Sequence, residues 1–251
     1  MTKRRAFLTH LVMSALLVGT VCALVFFSWY PFPYFAAKGA WNILAVLVGV
    51  DLVVGPLLTL YLYRPNKPGL MIDMTFIVVV QLAALIYGTT VIYTERPYFA
   101  VFAVDRFEVI ARHEVDLTQV ATPELLDKPL SGPILVVALL PDTTEGMQRL
   151  LDETVFEGKP DIERRPEFWR PYAEQVGRVI ARLKALDALA ARDASRTDRL
   201  LEHLDRPADE LGYVPLIGKD RDFAFVIDKQ TGAPIDLLDI DPWPQAPQSG
   251  S

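Results

Sequence analysis

Three long apolar runs, at residues 6–30, 39–63 and 70–93, dominate the first part of the chain. The first run contains no charged Asp, Glu, Lys or Arg side chain, the second contains only Asp51, and the third contains only Asp73. About 20 apolar residues in a helix cross a hydrocarbon core of about 30 Å. The pattern therefore predicts a three-helix transmembrane domain over residues 1–96. The first run is longer than the core of a signal peptide, which favours its retention over cleavage.

After residue 96 the pattern changes to short apolar runs alternating with amphipathic segments. Strands are predicted at 98–104, 107–111, 133–140, 222–228 and 234–240, and helices at 144–156, 171–191 and 195–204. Strands at both ends with helices between them predict a soluble mixed α/β (α+β) domain over residues 97–241. The Pro- and Gln-rich segment 242–251 is expected to be a disordered tail.

Charge divides the chain at the same place. Residues 1–96 carry 7 Lys and Arg against 3 Asp and Glu, whereas residues 97–251 carry 18 against 28. The acidic remainder argues against nucleic acid as a partner, because phosphate binding requires clustered basic side chains. Cys22 is the only cysteine, so neither an intramolecular disulfide nor a paired-cysteine metal site is possible.

The distribution of Lys and Arg in the short flanks predicts the orientation in the lipid bilayer. Five basic residues lie at the N-terminus and between the second and third runs: Lys3, Arg4, Arg5, Arg64 and Lys67. Only Lys38 and Arg96 flank the other ends of the runs. We therefore expect a multi-pass protein of a bacterial inner membrane, with a cytoplasmic N-terminus and a periplasmic domain after residue 96. The short link between the first two runs should make them a tight hairpin.

Two polar residues fall near the middle of the predicted spans. Asp51 in the second run and Gln81 in the third reach similar depths, because consecutive spans run antiparallel. A carboxylate at this depth is costly unless it is paired, protonated or turned toward protein. Three interpretations are open: a structural pair of a neutral Asp51 with Gln81, a site for a polar group of a partner's membrane helix, or part of an ion or proton pathway.

Small and helix-breaking residues surround Asp51. Gly49 and Gly55 permit close approach of another helix. Pro56 removes a backbone donor and is expected to kink the second span. This surface is a candidate docking groove, or else ordinary helix packing.

The remainder of the chain offers little catalytic chemistry. Neither the cluster His113, Glu114 and Asp116 nor the pair Asp239 and Asp241 has the spacing of a convincing metal site, and no nucleotide-binding or hydrolase motif occurs. We expect no catalytic residue, metal or cofactor. Two large aromatic residues in polar surroundings, Trp169 and Trp243, are core residues or, if exposed, candidate anchors for a protein partner.

Several segments resemble a known family, the type IV pilin accessory proteins of the TfpX/TfpZ type. The matching segments are Gly49 to Leu60, Arg64-Pro65 with Pro68-Gly69-Leu70, Gln81 to Gly88, and Arg96-Pro97 leading to Val104 to Glu108. The resemblance implies a non-enzymatic factor that binds and stabilises its cognate major pilin, and works beside other inner-membrane pilus assembly components. It also implies a partner with one membrane helix and a globular head.

These expectations combine into one hypothesis with two rivals. Asp51, Gly49, Gly55, Pro56 and Gln81 would contact the pilin's membrane helix, and the outer domain, with Trp169 or Trp243 if exposed, would contact its head. The rivals are a membrane-anchored periplasmic enzyme with an unrecognised carboxylate site that acts on envelope material, and a small transport subunit.

Overall fold

The computed structural model describes residues 2–243, which form two compact units. One unit contains the chain up to Pro31 together with Gly39–Arg96, and the other contains Phe32–Lys38 together with the chain from Pro97 onwards. The first is helical and the second is a mixed sheet with helices. The predicted fold class is therefore confirmed.

Three long helices build the first unit. The first is α-helical over Lys3–Leu24 and π-helical over Val25–Trp29; the second is α-helical over Trp41–Gly49 and Gly55–Leu62 with a π-helical turn at Val50–Val54 between them; the third is α-helical over Leu70–Thr94. Each is long and apolar enough to cross a bilayer. They coincide with the three predicted runs.

The second long helix is the centre of this unit, because it packs against both of the others. The first and third helices meet near Tyr30, whose hydroxyl donates a hydrogen bond of 2.8 Å to the carbonyl of Ile92. The rings of Trp29 and Tyr93 also contact there, with centroids 5.0 Å apart. The end of the first helix is thus fixed to the end of the third.

An eight-stranded mixed sheet forms the framework of the second unit. Its strands are β1 (Pro97–Ala103), β2 (Arg106–Ala111), β3 (Ile134–Ala138), β4 (Trp169–Pro171), β5 (Lys184–Ala185), β6 (Leu211–Ile217), β7 (Phe223–Asp228) and β8 (Pro234–Leu238). Their order is β4-β3-β1-β2-β6-β7-β8, with β5 paired to β6. The pairs β1–β3 and β2–β6 are parallel and the others are antiparallel.

Both faces of this sheet are covered, as the fully buried strand β1 requires. Phe99 and Val101 face a core that includes Leu150 and Trp169, whereas Phe102 contributes to the core on the other side. The covering helices are Thr144–Val155, Tyr172–Ile180, Asp187–Ala190, Ala194–Leu204 and the short Tyr34–Ala37, with 3-10 turns at Arg112–Glu114, Leu117–Gln119, Pro123–Leu126, Ile162–Arg164, Pro166–Phe168 and Ala208–Glu210.

The single long helix predicted over 171–191 is wrong. The helix ends at Ile180, the chain then adds the two-residue strand β5 to the sheet, and a separate helical turn follows at Asp187–Ala190. This break lets Leu186 and Leu189 enter a different core cluster from Val179. Strand pairing and burial therefore override a favourable helical pattern.

Two further elements differ from what their local sequence indicates. The helix Ala194–Leu204 is capped by the side chain of Asp193, which accepts a hydrogen bond from the backbone of Arg196, although Ser195 and Asp198 also have the spacing of a capping box. Strand β6 was not predicted, because Gly212 and Pro215 interrupt its apolar run. The sheet tolerates Pro215 since this residue pairs only with β7, between the parts of β6 that contact β5 and β2.

The link between the first two long helices is more than a tight hairpin, because it is part of the sheet unit. Tyr34 and Ala37 are buried in its core, and the ring of Tyr34 meets Phe225 at 6.0 Å between centroids. The backbone of Lys219 donates a hydrogen bond of 2.8 Å to the carbonyl of Ala37, and Lys38 forms an ion pair with Glu114 at 3.2 Å. The sheet unit is therefore assembled from two separate pieces of the chain.

The replacement Tyr34→Ala tests this role of the link. We expect it to lower the free energy of unfolding of the sheet unit by about 3 kcal/mol, because it removes a buried aromatic ring and leaves a cavity. The measurement is limited proteolysis of the detergent-solubilised full-length protein across a urea series. The control Phe156→Ala removes a ring that is 82% exposed and should have little effect. Equal stability of Tyr34→Ala and this control would contradict the assignment of the link to the sheet unit.

Candidate functional site

The π-helical turn in the second long helix leaves a backbone carbonyl without its usual partner. The amide of Gly55 donates to the carbonyl of Val50, five residues earlier. A helical carbonyl accepts a hydrogen bond from the amide four residues later in an α-helix, or five residues later in a π-helix. For the carbonyl of Asp51 these residues are Gly55, whose amide is already used, and Pro56, which has no amide hydrogen. In an apolar medium an unsatisfied carbonyl is costly. The carbonyl of Asp51 therefore requires a hydrogen-bond donor from another helix.

The side chain of Gln81 in the third long helix meets this need. Its Nε2 donates to the carbonyl oxygen of Asp51 at 3.4 Å and to Oδ1 of the same residue at 3.2 Å. This hydrogen bond is the contact described in the first of the three interpretations, the structural pair of Asp51 with Gln81. One side-chain amide thus donates both to the backbone carbonyl left open by the π-helical turn and to a buried carboxyl group.

Gly55 makes room for that amide. A Cβ atom at position 55 would lie 1.9 Å from Nε2 of Gln81, a distance that no real contact reaches. No atom would lie within 4 Å of a Cβ atom at Gly49. The two glycines therefore differ: Gly55 is required by the contact between the second and third helices, whereas Gly49 is free of close contacts.

The pairing leaves two acceptors over. Within the described chain, neither Oδ2 of Asp51 nor Oε1 of Gln81 has a hydrogen-bond partner, although both atoms are buried. The side chains are almost fully enclosed, with 4% of Asp51 and 8% of Gln81 exposed. Buried acceptors in this situation normally have a donor.

Both residues line a groove of about 630 Å³ between the first and third helices. Its polar lining comprises Thr9, His10, Ser14, Thr20, Asp51, Thr59, Tyr63 and Gln81. His10 Nδ1 and Thr59 Oγ1 form a hydrogen bond of 2.5 Å between the first and second helices. A smaller hollow of about 360 Å³ also reaches Asp51, from the side of Asn42 and Gly88, but Gln81 does not line it.

Of the residues proposed for partner binding, the structure brings Asp51, Gln81 and Gly55 together. Pro56 is buried beside them, and Gly49 is half-buried. The proposed surface of Gly49, Gly55 and Pro56 is therefore not one open docking face, because Gly55 is covered by Gln81. Sequence reasoning missed Thr59 and the role of His10. The available signal was the spacing of His10 and Ser14, which lie four residues apart on one face of a mainly apolar helix.

The two tryptophans occupy different environments. Trp169 has no exposed surface and packs against Phe99 with ring centroids 4.7 Å apart, so its side chain is not available on the folded surface. Trp243 is half-buried, and its indole N–H donates to Asp222 at 2.6 Å. The segment expected to be disordered begins at Pro242; Pro242 and Trp243 are placed in the structure, and residues 244–251 lie outside the described residues.

Carboxylates of the sheet unit are held by basic side chains. Hydrogen bonds from Arg165, Arg149 and Lys159 lower the pKa of Glu153 to about 2. Burial raises the pKa of Glu114, but hydrogen bonds from the Ala111 amide and from basic side chains bring it below its ordinary value.

A carboxylate considered above as a metal ligand is also paired with a basic side chain. Asp239 pairs with Arg221 at 3.1 Å, and among residues 2–243 no group of three His, Cys, Asp or Glu side chains is arranged to hold a metal ion.

Replacement of Gly55 by alanine tests the polar centre. The new methyl group displaces the amide of Gln81, so Gly55→Ala should lower stability by about 1–3 kcal/mol through loss of the bonds to Asp51. Unfolding in mixed micelles with increasing dodecyl sulfate measures this change. The matched control Gly49→Ala has open space and should retain full stability. Indistinguishable unfolding of the two variants would show that the Gln81 contact is not needed.

Comparison with known proteins places the chain among fimbrial proteins. A family model described as fimbrial assembly protein FimB matches residues 1–39. The fimbrial assembly protein of serogroup I from Dichelobacter nodosus is 30% identical over 248 residues, which cover 93% of this chain and 94% of that protein. Its serogroup E1 counterpart is 28% identical over 245 residues, covering 92% and 94% respectively.

A shorter relative is more similar over a smaller region. The fimbrial assembly protein of serogroups C1 and C2 is 38% identical over 115 residues, 45% of this chain and 85% of that protein. No solved structure matches the chain. Since the serogroup I relative is aligned along almost its entire length, the chain belongs to the FimB family of fimbrial assembly proteins.

Proposed function

We propose that this protein is a non-enzymatic membrane accessory factor of fimbrial assembly, of the TfpX/TfpZ type. It binds its cognate major pilin and stabilises it before or during incorporation into a type IV pilus, beside other inner-membrane assembly components. The observation that carries the proposal is the relationship to a fimbrial assembly protein over 93% of this chain. That alignment includes both the helical unit and the sheet unit, so the relationship is not limited to a shared membrane anchor.

The geometry of the two units supports a binding role. The groove beside Asp51 is mainly apolar and contains two buried oxygen atoms that have no partner in the described chain. The Glu114, Glu153 and Asp239 carboxylates form ion pairs with basic side chains, which is an arrangement of structural carboxylates rather than of a general acid and base free to exchange protons. These features favour contact with another membrane protein over chemistry on a substrate.

We further propose a bacterial inner-membrane location with the N-terminus in the cytoplasm and the sheet unit in the periplasm. Support comes from the excess of Lys and Arg at the N-terminus and in the connection between the second and third helices. The link Phe32–Lys38 and the chain from Pro97 belong to one folded unit. They must therefore lie on the same side of a bilayer, as a chain with three spans requires.

Reporter fusions test this orientation. Alkaline phosphatase fused after Ser251 should be active, because it folds only in the periplasm, and a fluorescent protein that folds only in the cytoplasm should stay dark there. Fusions after Lys67 should give the opposite pattern and serve as the matched control. A fluorescent C-terminal fusion with an inactive phosphatase would contradict the periplasmic assignment.

The function is tested in a fimbriated host that lacks this gene. We expect surface fimbriae to disappear and the level of the major pilin to fall, because an unprotected subunit is degraded. Wild-type protein should restore both and should retain the pilin on affinity purification from solubilised membranes. A control strain expressing an unrelated three-span protein should restore neither. Normal fimbriae and pilin levels in the deletion strain would refute the proposal.

A further inference from the structure

We propose that the groove between the first and third long helices, called here the Asp51 groove and lined by the residues given above, is a docking site for one transmembrane helix of a partner. This helix carries a hydrogen-bond-donating side chain opposite Asp51. The inference rests on the proposed function, which supplies the partner as the membrane-anchored fimbrial subunit. It moves the expected contact from the surface of Gly49, Gly55 and Pro56 to the groove that Asp51 and Gln81 line together with the first helix.

The dimensions of the groove suit a helix. Its walls are residues 6–20 of the first helix and residues 74–85 of the third, and the second helix contributes Asp51 and Thr59. At a rise of 1.5 Å per residue, the wall from the first helix is about 20 Å long, or about four turns. Leu16 and Leu82 are among its apolar lining and have 69% and 42% of their surface exposed. A four-turn apolar helix would bury these side chains along its length.

The unpartnered acceptors decide which chemistry fits. Oδ2 of Asp51 and Oε1 of Gln81 have no donor in the described chain, and both side chains are more than nine-tenths buried. A lipid acyl chain can fill an apolar groove, but it offers no hydrogen-bond donor. A helix with an ammonium, guanidinium, amide or hydroxyl group at this position supplies both apolar contact and a donor.

The other polar groups of the groove reinforce this preference. His10 and Thr59 are already hydrogen-bonded to each other, and the hydroxyl of Thr20 donates to the carbonyl of Leu16 within its own helix. Asp51 is the one carboxyl group among the residues that line the groove. The lining therefore has an excess of acceptors, which is complementary to a donor on the partner.

Two adjacent positions on the first helix allow a sharp test by photocrosslinking. Met13 lines the groove and is 66% exposed, whereas Val12 is 56% exposed and does not line it. A photoreactive phenylalanine analogue is placed at one or the other position of the full-length protein in fimbriated cells. We expect an adduct from position 13 to a peptide of the subunit's membrane helix, identified by mass spectrometry, and none from position 12.

The replacement Asp51→Asn tests the donor. It keeps an oxygen for the bond from Gln81 but replaces the second oxygen, which is an acceptor while Asp51 is ionised, by an amide donor of nearly the same size. The adduct from position 13 should fall by about 3- to 20-fold, the factor that one hydrogen bond between membrane helices contributes to association. The control Gly49→Ala, on the same helix, should leave the adduct unchanged. Gel filtration in detergent establishes that both variants are folded.

Several outcomes would overturn the inference. They are equal adducts from positions 12 and 13, adducts to lipid alone, a protein adduct outside the subunit's membrane helix, or an adduct insensitive to Asp51→Asn. Labelling of Met13→Cys in a Cys22→Ser background by a membrane-impermeant thiol reagent would show a water-filled cavity and also overturn it. If the subunit still co-purifies in these cases, the proposed function stands and only the docking site is wrong. Loss of co-purification as well would refute both.

Discussion

The helical unit depends on one amide group. Pro56 and the π-helical turn deprive the carbonyl of Asp51 of its backbone donor, and the side chain of Asp51 adds a second acceptor at the same depth. Nε2 of Gln81 donates to both, which it can reach only because position 55 is glycine. In hydrocarbon there is no water to replace these bonds. The contact between the second and third helices is therefore fixed by polar geometry as much as by apolar packing.

That arrangement satisfies the backbone carbonyl but leaves two side-chain oxygen atoms without a hydrogen bond. Gln81 has only one amide nitrogen, so its own carbonyl oxygen and the second oxygen of Asp51 remain without donors in the described chain. A helical unit designed only for its own stability would gain from replacing these groups by apolar ones. Their presence beside an open groove is consistent with a unit whose packing is completed by another helix.

The sheet unit shows a second dependence on chain connectivity. Its core includes Tyr34 and Ala37 from the link between the first two long helices, far from the rest of the unit in sequence. The core of the sheet unit is therefore complete only when the link and the strands from Pro97 onwards are both present. The nearly full-length relationship to a fimbrial assembly protein is consistent with two units that are retained together.

Sequence alone determined the features that depend on composition and local period. Three apolar runs specify long helices whatever their neighbours, because a helix satisfies its backbone polar groups within itself and needs no water. The short apolar runs at β1, β2, β3, β7 and β8 likewise predicted strands. The positions of Asp51 and Gln81 in their runs placed both residues at similar depths, but left a structural pair, a partner site and an ion or proton pathway as alternatives. Only the tertiary structure decided the rest: the break after Ile180, the strand through Pro215, the burial of Trp169 and the insertion of Tyr34. These outcomes depend on packing and strand pairing between residues that are distant in sequence. A local stretch of residues does not determine such contacts.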